Sequence, residues 1–166
     1  MYELKPISKD ATQAALDRVE RYRLLNEPIE AESICLDVLA ADADNQRALV
    51  LLLLSLTDQF PTHLGTAVPR AMDIIEKLHD EYSRVYYHGV ICERKAKTHL
   101  SRGGPGDGEA AWEWFQAAME HYEHAERLRP ANNDEAILRW NTCARTLNRH
   151  PELEPSGERH VEHMLE

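Results

Sequence analysis

Histidines occur in two closely spaced pairs, His121 and His124 in EHYEHAE and His160 and His163 in ERHVEHMLE. On a helix, residues three apart share a face, so two imidazoles could hold one metal ion, with Glu120 or Glu162 beside them. Nine histidines are enough for such pairs to arise by chance. HExxH is absent, and the ExxH pairs on further helices that a carboxylate di-metal bundle requires cannot be assembled. The pairs read as helix edges where polar meets apolar, and no metal or cofactor is expected.

Cys35, Cys92 and Cys143 lie far apart with no CxxC, an odd number that argues against a disulfide framework or zinc knuckle. They read as small buried hydrophobes. No GxSxG and no Cys-His signature is present, and Asp42 and Asp44 sit at a turn, where acids cap helices. No residue is nominated as catalytic, and the chain is expected not to be an enzyme. A small helical metal-binding protein or hydrolase using His121 and His124 is the competing reading. Trp112 and Trp114 point about 160° apart on a helix and cannot both face one core. One is expected under the glycine-rich loop before them; the alternative is a self-association patch.

The elements that would position these residues are helical throughout. Apolar residues recur at three- and four-residue steps, and the Val and Thr runs of a sheet are missing. Ser8 caps a helix over about 9–25 with Ala11, Ala15, Val19, Tyr22 and Leu25 inward. Pro28 opens a second through about Ala41, since a first turn has no use for the missing N–H. A third runs about 46–58; Pro61 to Thr66 is a loop, and Pro69 falls at the start of a fourth over about 67–80. A fifth covers about 82–100 and stops at the loop Ser101–Gly108. The sixth, about 108–128, is capped by Asp107, and the seventh, about 134–148, packs through Ala136, Ile137, Trp140 and Ala144. The tail 151–166 reads as flexible or loosely docked, and Leu165-Glu166 could be a vector remnant.

Length and charge narrow the classes further. The 166 residues suit one domain over 1–150. Lysines and arginines number 19 against 29 acids, a formal charge of −10, so nucleic acid is not an expected partner. Only 7 glycines occur, with no phosphate-binding glycine motif. The apolar run from Ala48 to Leu56 is too short to span a bilayer, and MYELKPISKD is no export signal. A cytoplasmic protein is expected.

The second helix of each successive pair carries the same pattern: Ala31, Cys35 and Val38; Ala71, Ile75 and Leu78; Ala118, Tyr122 and Ala125, then Pro130. An alanine lets the partner helix approach, the larger residue fills the gap, and the third meets the next hairpin. On these residues the chain resembles the tetratricopeptide repeat family, whose unit is a helix–turn–helix of about 34 residues. Tyr22 and Gly89 match aromatic and glycine slots of the first helices, and Leu49, Leu52 and Leu56 the apolar ones. The units are degenerate: the alanines are 40 and 47 residues apart, with the excess placed in Gln59–Gly65 and Ser101–Gly108, and the family tryptophan is missing.

The resemblance implies an all-α, right-handed superhelix of antiparallel hairpins with about seven helices. The hairpins would be 9–41, 46–80 and 82–128, closed by a capping helix that turns Arg139, Asn141, Arg145 and Asn148 outward. It also implies a non-catalytic scaffold that holds a peptide or partner protein in a concave groove. The face opposite the packing stripe nominates Leu16, Glu20 and Arg23, then Arg47, Val50, Leu54 and Asp58, then Tyr86, Tyr87, Val90 and Arg94, and Asn141. An Arg-rimmed, tyrosine-floored groove suits an extended or helical peptide. Relatives that grip acidic chaperone tails use lysines and asparagines where this chain has Leu16 and Glu20, so that grip is not implied. Self-association as a structural homodimer is the remaining alternative.

Overall fold

The structure, a computed structural model, describes residues 1–155. Among these it contains seven α-helices, two 3-10 turns and no strand. The chain condenses into two compact units, Met1–Asp80 and a second beginning at Glu81. Every residue of the three repeated triplets, Ala31 to Val38, Ala71 to Leu78 and Ala118 to Ala125, is buried.

The first unit opens with a 3-10 turn, Lys9–Ala11, and α1, Thr12–Leu24. Ser8 precedes the turn, but its side chain makes no cap bond. Asn26 ends α1 at φ 59°, a left-handed conformation that asparagine tolerates, and the Glu27 N–H returns to the Tyr22 carbonyl at 2.9 Å. Pro28 then occupies the first turn of α2, Pro28–Ala41, as expected. The Asn45 side chain caps α3, Gln46–Asp58, by accepting from the Ala48 N–H at 3.0 Å.

Two further expectations for this unit fail. The buried residues of α1 are Leu16 and Val19, whereas Ala11 and Leu25 are exposed. Because α1 packs on both α2 and α3, its covered face is wider than a single stripe and turned toward Leu16. The stretch expected as a loop belongs instead to α4, Phe60–Ile75, and only His63, at φ −130° and ψ 33°, leaves helical geometry. Pro61 lies in the first turn and Pro69 inside the helix, so neither proline marks the boundary it suggested.

The second unit is a long antiparallel hairpin, α5 Glu81–Arg102 and α6 Asp107–Leu128, joined to α7 Glu135–Arg149. Each arm of the hairpin has 22 residues, or about 33 Å of helix. Gly89 sets their closeness. A Cβ at that position would lie 2.7 Å from Tyr122 Cε1 and 3.2 Å from His121 Cβ. The short connection uses Gly103 and Gly106, both at positive φ. Asp107 is the first residue of α6, not its cap; its carboxylate accepts from the Gly104 N–H at 3.0 Å and meets His99 Nδ1 at 2.7 Å. Past α7, a 3-10 turn at Pro151–Leu153 packs back on α6 through the buried Leu153. His160, His163 and Leu165-Glu166 lie outside the described residues. Among the described residues, no helix is long and apolar enough to cross a membrane.

Candidate functional site

In the first unit the nominated face is held together by ions. Arg23 Nε donates to Asp58 Oδ2 at 2.7 Å, and Arg47 Nη2 reaches Asp17 at 3.0 Å and Glu20 at 2.9 Å. These pairs bind α1 to α3. Leu16 is 1% exposed and Val50 and Leu54 are partly covered, so Leu16 is core, not surface. Nearby, Glu32 on α2 accepts from Gln59 Nε2 at 2.6 Å and from Arg70 on α4. Burial alone would raise its carboxyl, but the Arg70 and Gln59 bonds outweigh that and hold it below its ordinary 4.5.

The nominated residues of the second unit are largely covered too. Val90 is fully buried and Tyr86 nearly so, whereas Tyr87, Arg94 and Asn141 are partly exposed. Tyr86 stacks on Tyr82, meets Tyr87 edge-on and lies 5.9 Å from the Tyr122 ring. Burial, with the neighbouring Tyr86 and Tyr82, pushes the Tyr87 phenol up to about 12.

Beneath these rings is a buried carboxylate. Glu93 on α5 accepts from the Tyr122 phenol at 2.6 Å, from Arg139 Nη1 at 3.0 Å and from Lys97. Burial would raise its carboxyl, and Arg139, Lys97 and Tyr122 together hold it down. Arg139 Nε also donates to the Tyr86 hydroxyl at 3.0 Å. This corrects the expectation that Arg139 points outward on a cap: it reaches back to Glu93, because a carboxylate buried on α5 requires a counter-charge. Glu93 stands four positions after Gly89, which puts an acid on the packing stripe; that spacing is the sequence clue to the network.

A cleft of about 860 Å³ lies between α6, α7 and the final 3-10 turn. Trp112, Met119, Trp140 and Leu147 supply its apolar wall, with Gln116, Asn148 and His150 among the polar groups. Both tryptophans are partly exposed, and Trp140 Nε1 donates to Glu123 at 3.0 Å. Trp112 lines this cleft beside Trp140, Ala144 and Leu147 of α7. Trp114, on the other side of α6, carries the Lys95 ammonium 3.2 Å from its ring centroid.

His121 and His124 do not act together as a pair. His124 is exposed, while His121 turns toward α5, where its ring stacks on His88 at 4.0 Å between centroids and an interplanar angle of 23°. Cys92, one turn beyond His88, completes the group: ligand atoms of His88, Cys92 and His121 all lie within 4.8 Å of one another. Among the described residues, no other trio of histidine, cysteine or acidic side chains converges in this way. Burial pushes the Cys92 thiol up to about 11, and those of Cys35 and Cys143 to about 12. All three cysteines are free and buried.

No family model, curated protein or solved structure matches this chain.

Proposed function

We propose that the protein is a non-catalytic binding module whose hairpins follow the tetratricopeptide plan, and that it docks an amphipathic helix or extended apolar segment of a partner protein in the α6–α7 cleft. The observation that carries this reading is the pair of partly exposed indoles, Trp112 and Trp140, on opposite walls of a cleft of about 860 Å³. Tryptophan is the side chain most enriched among residues that dominate interface energies, and a helix laid in an apolar groove is a common mode of peptide capture. The net charge of −10 favours a partner segment with basic flanks. Three things support the repeat plan: the buried alanine-led triplets, the mutual packing of α1, α2 and α3, and the close approach of Tyr122 to Gly89. Three free thiols agree with a reducing compartment such as the cytoplasm.

Affinity capture from the native lysate, with the wild type beside a Trp112→Ala/Trp140→Ala variant of unchanged circular dichroism, tests the cleft. Loss of a specific partner in the variant is the expected result; identical recovery overturns the cleft reading. Val50→Glu and Tyr87→Ala variants measure whether those residues of the two units contribute. Leu24, Leu25 and Ile29, all exposed around the α1–α2 turn, favour self-association as a second reading. Concentration-dependent light scattering that disappears in Leu25→Ser/Ile29→Ser would support it.

A further inference from the structure

We propose that His88, Cys92 and His121 form a binding site for a single zinc-class transition-metal ion. Three donor atoms from two helices converge there. His88 and Cys92 are four apart on α5 and so project from one face; His121 comes from α6, 33 positions from His88. Their ligand atoms lie within 4.8 Å of one another; the two imidazoles stack face to face here, so holding one ion requires the rings to turn out of that stack into other side-chain rotamers. Gly89 makes this convergence available, since any Cβ there would collide with the Tyr122 ring and crowd His121 Cβ.

The donor set selects the ion. Two imidazoles and a thiolate suit zinc and its neighbours, whereas magnesium and calcium seek oxygen. Three protein ligands leave a fourth tetrahedral position for solvent or a small ligand. His88 and His121 are only partly buried, which gives an ion a way in, while Cys92 at 2% exposure is screened from solvent. Binding exchanges the Cys92 S–H bond for a sulfur–metal bond, and the proton passes to solvent. Lys95 is the nearby charge opposed to an ion, and its ammonium is held over Trp114.

The test is titration of tag-free, chelator-treated full-length protein with Co²⁺ and then Zn²⁺. One equivalent of Co²⁺ is expected to produce visible bands of tetrahedral intensity and a near-ultraviolet thiolate-to-metal band, both erased by Zn²⁺. Cys92→Ala should abolish the near-ultraviolet band. His88→Gln and His121→Gln should each weaken Zn²⁺ binding at least about 100-fold, since even outer-shell changes cost 10- to 100-fold. His124→Gln and the double variant His160→Gln/His163→Gln should bind as the wild type does. Absence of the thiolate band in the wild type overturns the proposal without recourse to any variant. So does its persistence in Cys92→Ala, or loss of binding in either control. The docking reading stands or falls separately, because none of these residues lines the α6–α7 cleft.

Discussion

Arg139 on α7 places Nη1 3.0 Å from Oε2 of Glu93 on α5, and the Glu93 side chain is 1% exposed. Tyr122 on α6 donates to the same oxygen at 2.6 Å. One carboxylate thus ties together the three helices of the second unit. Taking its charge out of water is costly, and the pairing with Arg139 and Lys97 offsets that cost only while every partner is present. Glu93→Gln should destabilise this unit by about 3 kcal/mol, the scale of a broken buried ion pair. Tyr122→Phe should cost about 1.5 kcal/mol, the low end for a hydrogen bond to a charged group. Chemical denaturation followed by circular dichroism measures both; equal stability of Glu93→Gln and wild type would remove Glu93 from this role.

Gly89→Ala tests the closeness of α5 and α6. The added methyl would sit 2.7 Å from Tyr122 Cε1, and the ring cannot swing aside because it is buried and held by Glu93. Forced overpacking of this kind costs about 1–3 kcal/mol. Because Tyr122→Leu vacates the space but also takes a donor from Glu93, Gly89→Ala and Tyr122→Leu together should cost less than the sum of the two single changes, whereas a serine at an exposed helical site such as Glu113 should change little.

Stability of the first unit should carry an acid-side signature from Glu32. Its carboxyl is held below the ordinary 4.5 in the folded state, so the unfolded chain takes up the proton first as pH falls. The stabilisation is therefore fully present above about pH 5 and fades as pH drops through the depressed folded value. Melting temperatures of wild type and Glu32→Gln should differ by a constant amount near neutrality and converge in acid. A gap that widens on acidification would contradict this.

Asp107 fastens the connection between α5 and α6 by meeting His99 and the Gly104 N–H. Asp107→Ala should free the glycine-rich turn and speed tryptic cleavage after Arg102 several-fold at unchanged overall helicity. Unaltered cleavage would mean that Gly103 and Gly106 alone set the turn.

Patterns local in sequence were legible, and features that depend on helix register were not. Pro28 acts within one turn of where it stands, so the end it defines could be read directly. The buried triplets were visible because small and large residues alternate along a single helix. Pro61 and Gly65 misled because a proline in a first turn is compatible with helix, and the real break falls at His63, which carries no breaker signal. His121 and His124 are neighbours along one helix and stand out in the sequence, but His121 in fact meets His88, across an interface whose register is set by Gly89 and Tyr122. Leu16 falls on an open face only if α1 packs on one side, and α1 packs on two helices.

The burial of Cys35, Cys92 and Cys143 equips the chain with native reporters of its own breathing. Alkylating reagents attack thiolates, and sulfurs both hidden and raised to about 11 or 12 react only when their surroundings open. Cys35 lies in the first unit and the other two in the second. Labelling kinetics resolved peptide by peptide therefore time the opening of each unit separately, with no foreign probe introduced.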